Sequence, residues 1–312
     1  MSDTRIDDDT PIVIAGPTCS GKSSLALAVA RATQGALICA DSRQIYRGLR
    51  VASAGPDDEE RAAVPHFLYE SAPPDVVYDA GRFVADADLA IASCRRQGRR
   101  AILVGGNGMY LRAWRFGLSD VPGSDAGVRR ALDEEIARDG LASVHARLAV
   151  VDAESAARIS PADRVRIVRA LEVFALTGER PSALRRSHDG GPPRQAAVSI
   201  VLTASSDWLA PRILARAEQM FAHGLVDEAR ALRDEIGVGH ALLETLGVKE
   251  ALAVADGTST TANAIAETAL RTRQYARRQR KWFAGEDWWT RLDAADADLL
   301  PRVLDAVGAR TP

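Results

Sequence analysis

An α/β fold, a mostly parallel sheet flanked by helices and interrupted by an all-helical insertion, is predicted by three observations. Short apolar runs alternate with helical patterns through the N-terminal third. A middle stretch, from about Pro122 to Glu179, shows helical periodicity only. A further apolar run, Ala197–Thr203, then returns ahead of two long helical patterns. The expected division is residues 1–118 for the first part of the core, 119–186 for the helical insertion, and 187–312 for core completion and C-terminal helices.

Taken in order, "IVIA" (Ile12–Ala15) reads as a strand running into a glycine-rich turn, and Ser23–Arg31 as the helix behind it. Leu37–Ala40 is a second strand. Ala101–Val104 is a third, ending in "GGNGMY". Between them Asp79–Gly98 is apolar at helical spacing and is closed by basic residues and a glycine. The insertion reads as "AGVRRALDEEIARDG", "LASVHARLAVVD" and "PADRVRIVRALEVFALTG". "SHDGGPPRQ" (Ser187–Gln195) is a loop by composition. Of the two last helices, "LAPRILARAEQMFAHGLVDEARALRDE" is expected to break at Gly224, and Thr261–Trp282 to run unbroken. The insertion is placed after the third or fourth strand, and no internal repeat is evident.

Composition narrows the class. A chain of 312 residues, 46% hydrophobic and 26% charged, can bury a large core and suits one large domain plus an insertion. No apolar run is long enough to span a bilayer, and the acidic start "MSDTRIDDDT" resembles neither a signal nor a transit peptide. A cytoplasmic protein without a membrane partner is expected. Cys19, Cys39 and Cys94 are too few and too scattered for a disulfide framework or a zinc site. The net charge of −2 argues against a generic nucleic-acid coat. Basic residues nevertheless cluster in "DRVRIVRAL", at Arg185 and Arg186, and in "RTRQYARRQRKWF", so one face can still hold a polyanion.

The strongest chemical signal is Gly16-Pro17-Thr18-Cys19-Ser20-Gly21-Lys22-Ser23, a match to G-x-x-x-x-G-K-[ST] in its required strand–loop–helix context. Glycines let backbone N–H groups converge on phosphate oxygens, and the helix N-terminus adds its positive end. Lys22 supplies a point charge and Ser23 a hydroxyl for Mg²⁺. A P-loop NTPase-like core, nucleotide-binding or ATP-binding in the common case, follows. The loop alone does not separate ATP hydrolysis from kinase or other chemistry. The Ala101–Val104 strand, however, ends in Gly105-Gly106-Asn107 and not in a Walker B carboxylate. The carboxylate comes instead at Asp41, behind the second strand. Carboxyl ends of neighbouring strands share one crevice in such sheets, which should bring Asp41 near the phosphates. A helix cap or an outer-shell Mg²⁺ group is the other role open to it.

An ordered set of segments carries a more specific resemblance: "GPTCSGKS", "ADSRQIYRGL", "VPHFL", "DAGRF", "LVGGNGMYLRA", "DRVRIVRALEV", "RILARAEQMFAHGLVDEARAL", "GVKEAL" and "TRQYARRQRKWF". Together, from about Ile12 to Gly285, they resemble tRNA dimethylallyltransferases. The resemblance implies a loop that holds the diphosphate of dimethylallyl diphosphate, with Mg²⁺ as the cofactor. It implies transfer to N6 of the adenosine 3′ to the anticodon (position 37) of tRNA; a monomer is expected, although the sequence does not fix the oligomeric state. Asp41 becomes the candidate general base, because the N6 lone pair is delocalised and its proton must be taken as the C–O bond breaks. Lys22, the loop N–H groups and Mg²⁺ on Ser23 are placed to stabilise the leaving group, and Arg216 to face the same diphosphate.

The acceptor base is implied to be flipped into a channel, with Asp41, Ser42, Arg43 and Gln44 beside it and Asn107 meeting substrate there. Arg129, Arg166 and Arg169 fall at tRNA-contacting positions of the insertion. Arg277, Arg278, Gln279, Arg280, Lys281 and Trp282 match a C-terminal segment that grips the RNA backbone. The chain departs from the family's usual residues at several positions. Asn107 stands for Thr, Ala54-Gly55-Pro56 for Ala-Lys-Pro, Phe67 for the second His of a pair, Val165 for Gln, and Val248 for an aromatic. The alternatives are an adenylate (AMP) dimethylallyltransferase, a small-molecule P-loop kinase, and a non-catalytic RNA-binding protein that keeps the loop.

Overall fold

The computed structural model describes residues 9–118, 121–188 and 192–309. Among them, six strands form one parallel sheet: β1 (Ile12–Ala15), β2 (Ala36–Cys39), β3 (His66–Phe67), β4 (Ala101–Gly105), β5 (Val198–Thr203) and β6 (Thr290–Asp293), in the order β3-β2-β4-β1-β5-β6. The central strands are buried on both faces, which is why they read as continuous apolar runs and not as alternating ones. Alternation still sorts their side chains. Val13, Ala15, Ile38, Leu103 and Val201 enter one core with Phe83 and Trp114. Ile12, Ile14, Leu37, Ile102 and Ile200 enter the other with Leu25, Val29 and Val303.

Lys22–Ala32 and Leu299–Ala306 cover the second face; Ala80–Arg96, Gly108–Phe116 and Leu225–Ile236 cover the first. Asp79 starts the Ala80–Arg96 helix by accepting the Arg82 N–H at 2.9 Å, which satisfies one of the unpaired first-turn donors. The long helical pattern breaks where expected: Ser206–Ala222 ends before Gly224, whose φ of 92° no β-carbon favours, and Leu225–Ile236 follows. The last long helix runs from Thr261 to Ala284.

The chain separates into two compact units, residues 1–115 with 195–312, and residues 116–194. The second is helical. Ala126–Asp139, Leu141–Val151, Ala153–Arg158, Arg164–Thr177 and Pro181–His188 enclose a core of Leu132, Val144, Leu148, Ile167 and Leu171. It follows β4, the fourth strand. Helix Pro181–His188 enters the Ser187–Gln195 stretch expected to be a loop; residues 189–191 of that stretch lie outside the described residues. Strands β3 and β6 were not expected. "HF" is too short to show a period, and "TRLD" buries only Leu292. Among the described residues no helix is long and apolar enough to cross a membrane.

Candidate active site

The phosphate loop leaves β1 at Gly16 and closes on itself. A β-carbon on Gly16 would stand 2.9 Å from the Ser20 hydroxyl oxygen and 3.2 Å from the Leu202 carbonyl oxygen, so β5 leaves room only for glycine. Gly21 takes φ 81° and starts the Lys22–Ala32 helix with no side-chain cap. That N-terminus therefore keeps its positive end for an anion. Lys22 Nζ donates to the Pro17 carbonyl at 3.3 Å. Burial lowers its pKa, the nearby Asp41 charge pulls it back up, and Arg216 lowers it again. Ser23 is exposed beside it. Among the described residues no cluster of three or more His, Cys, Asp or Glu side chains is arranged to hold a metal.

Asp41 directly follows Ala40, whose N–H donates to the Val104 carbonyl at 2.8 Å. Strands β2 and β1 are not neighbours, as the simplest reading of the sequence had it, because β4 lies between them. The carboxylate still acts on the loop, since its charge is the largest opposing influence on Lys22 after burial. Its Oδ1 accepts the N–H groups of Arg43 (2.8 Å) and Gln44 (3.4 Å) and so fixes the turn. Oδ2 has no hydrogen-bond partner among the described residues. The cap reading and the chemical reading of Asp41 thus apply to different oxygens of one group.

Two cavities meet at Arg216. One, about 300 Å³, is lined by Asp41, Ser42, Arg43, Thr18, Arg216, Tyr275 and Arg278. The other, about 550 Å³, is lined by Cys19, Gly21, Lys22, Ser23, Gln44, Arg212 and Arg216. The Arg216 guanidinium donates to Thr18 Oγ1 (3.2 Å) and to the Ser53 carbonyl (2.8 Å), so it is bound to the phosphate loop itself. Gln44 Nε2 donates to the carbonyls of Ser53 (3.0 Å) and Ala54 (3.1 Å). Ser53, Thr245 and Thr268, on the wall of the Asp41 cavity, keep buried hydroxyls without partners. Those threonines and Tyr275 escaped sequence reading, because single hydroxyls inside helical patterns carry no motif. Burial and the Asp41 charge push the Tyr275 phenol above its usual range.

Other expected site residues fall less simply. Asn107 lines neither cavity; its Oδ1 accepts the Tyr110 N–H at 3.2 Å and starts the Gly108–Phe116 helix. In the helical unit, Arg129 and Arg169 both bind Glu172, whose side chain is 0% exposed, at 2.9 and 2.7 Å. Arg166, 72% exposed, meets only Asp163 at 3.4 Å. Arg277, Arg278 and Lys281 are exposed. Arg280 donates to the Ser206 hydroxyl at 2.6 Å. Gln279 does not join them: it is 5% exposed and both ends of its amide bond inside the protein. Trp282 packs edge-on against Phe283 at 5.1 Å. Arg277, Arg280, Lys281 and Arg291 line a third cavity, about 750 Å³, that reaches Pro17.

A phosphate loop, an arginine tied to it and one carboxylate with an open oxygen define a P-loop group-transfer enzyme without a Walker B carboxylate. Comparison with known proteins makes the class specific. Residues 44–286 match a family model described as IPP transferase, and residues 11–71 one described as isopentenyl transferase. A tRNA dimethylallyltransferase of Anaeromyxobacter sp. (strain Fw109-5) is 46% identical over 295 residues, 94% of this chain and 98% of that protein. The full-length tRNA isopentenylpyrophosphate transferase of Bacillus halodurans superimposes with a TM-score of 0.68 at 30% identity, covering 96% of this chain and 97% of that one. A eukaryotic dimethylallyltransferase captured acting on tRNA gives 0.77 at 25% identity, covering 96% and 80%. The chain belongs to the IPP transferase family, that of the tRNA dimethylallyltransferases.

Proposed function

We propose that this protein transfers the dimethylallyl group of dimethylallyl diphosphate to N6 of the adenosine 3′ to the anticodon, position 37, in tRNA, and releases diphosphate. The observation that carries the chemistry is Asp41, with one carboxylate oxygen unbonded among the described residues, on a cavity that also reaches Thr18 and Arg216 of the phosphate grip. The N6–C1 bond forms as the C1–O bond breaks, the N6 proton passes to Asp41, and the electron pair leaves with the diphosphate. Lys22, the uncapped helix N-terminus and Arg216 face the charge that develops there. An exposed Ser23 hydroxyl beside the loop suits Mg²⁺, which takes few protein ligands and several phosphate oxygens. Bound by Ser23 and the diphosphate, it would neutralise charge on the leaving group.

Asp41, Ser42, Arg43 and Gln44 are assigned to the flipped base. Arg277, Arg278 and Lys281 are assigned to tRNA phosphates with Arg166 of the helical unit, because their side chains are exposed. The same reading takes the enzyme as a monomer acting in the cytoplasm. The isopentenyl transferase match covers residues 11–71, the end that carries both the phosphate loop and Asp41, and free adenylate stays the rival acceptor. Incubation with labelled dimethylallyl diphosphate and either tRNA, AMP or ATP tests the reading. Label is expected on tRNA alone; label on AMP, or phosphate transfer from ATP, would overturn it.

A further inference from the structure

Where other P-loop enzymes end a strand in a carboxylate, β4 ends in Gly105-Gly106-Asn107-Gly108, and the Thr261–Ala284 helix lies against this run. A β-carbon on Gly106 would stand 2.2 Å from Gln279 Nε2, and one on Gly108 2.1 Å from the Trp282 ring. The glycines are what admit the helix. At the contact the Thr18 N–H of the phosphate loop donates to Gln279 Oε1 at 2.8 Å. Gln279 Nε2 in turn donates to the Gly106 carbonyl at 2.9 Å. Thr18 also accepts from Arg216 through its hydroxyl. One buried amide therefore joins the phosphate loop, the end of β4 and the helix that carries Arg277 and Arg278.

We propose that Gln279 is a positioning residue of the reaction: it sets the phosphate loop through Thr18 and makes no contact with RNA. This rests on the reading of the loop as the diphosphate site. Three facts support it. The residue is 5% exposed, each end of its amide is bonded to a distant segment, and its loop partner is the residue that Arg216 grips. Removing the amide leaves a partly buried N–H and a buried carbonyl unpaired, and such groups relax until they find partners. The segment free to move is the loop, because β4 is held by the sheet on both sides.

The test uses the full chain and reads binding of inorganic diphosphate with Mg²⁺, which needs no acceptor and so is independent of whether tRNA or AMP is prenylated. Gln279→Met keeps length and packing but loses both bonds; about tenfold weaker diphosphate binding is expected, a lost buried hydrogen bond's worth. Transfer should show the same loss in kcat/KM for dimethylallyl diphosphate, with tRNA affinity and its salt dependence unchanged. Gly106→Ala leaves Gln279 in place but pushes its amide aside, and should act in the same direction. If both changes break one bridge, the double variant is no worse than the more severe single one. Should the Met variant fail to fold, Gly106→Ala carries the test alone. Weakened tRNA binding with unaltered diphosphate affinity would make Gln279 an RNA contact and overturn the proposal. Additive losses, or full diphosphate affinity in Gly106→Ala, would also overturn it.

Discussion

At the scale of single residues, the proposed reading gives Asp41 two jobs with two oxygens. Oδ1 holds the turn through the Arg43 and Gln44 N–H groups, and an Asn side chain can still accept both. Asp41→Asn should therefore keep the fold while removing the proton acceptor. The single-turnover rate is expected to fall by roughly 10²-fold or more, the scale of a lost general base. Diphosphate binding should be equal or tighter, because a negative charge near Lys22 has gone. Single-turnover transfer and a diphosphate titration check the two halves; an undiminished rate would mean that another group takes the proton. Asp41 was legible in the sequence because it ends an apolar run close behind the phosphate loop. Gln279 was misread because its neighbours are arginines and a lysine, and composition cannot show that one side of a basic helix is buried.

At the scale of elements, the arginines of the helical unit carry a structural role that their charge alone does not show. Arg129 and Arg169 read as RNA contacts from the sequence, and each also pairs with the buried Glu172 and so helps to hold the unit together. The same unit contains Asp152, which accepts the Ser155 hydroxyl (2.6 Å), the Ser155 N–H (3.1 Å) and the Ser182 N–H (2.8 Å), and so ties two helices together. Burial pushes this carboxyl up, but the bonds from Ser155 and Ser182 outweigh it and bring the pKa to about 2, from 3.8. A depressed carboxylate stabilises the fold above its unfolded pKa, and that stability is lost as pH falls from about 4 through 2. Linkage over that interval amounts to about 2 kcal/mol. Asp152→Asn should cost a similar amount at neutral pH and flatten the acid limb. Hydrogen exchange over residues 141–182 of the full chain, measured at several pH values, checks this; an acid limb equal to that of the unaltered protein would assign the loss to other groups. Strands β3 and β6 escaped the sequence for a related reason, because edge strands buried on one side need few apolar residues.

At the scale of the whole molecule, a net charge of −2 hides a basic helix, and the segregation of charge is what a tRNA reading requires. Arg277 and Arg278 lie on two sides of that helix: Arg278 lines the Asp41 cavity, and Arg277 lines the cavity that reaches Pro17. Phosphates held on both sides would release counterions on binding, so tRNA affinity should fall steeply with salt. Single-stranded contacts contribute a slope of about −0.7 per phosphate neutralised. Replacing both arginines by Ala should therefore flatten the slope by roughly one to two. Diphosphate binding should change little, because neither side chain lines the cavity at Lys22 and Ser23. An enzyme that prenylates free AMP makes the opposite forecast, with no tight tRNA binding to lose and full activity after the double substitution. Binding measured at several salt concentrations, for the unaltered chain and the double variant, separates the two. A slope unmoved by the substitution would leave these arginines as a solvated helix face and return the RNA grip to Arg166 and Lys281.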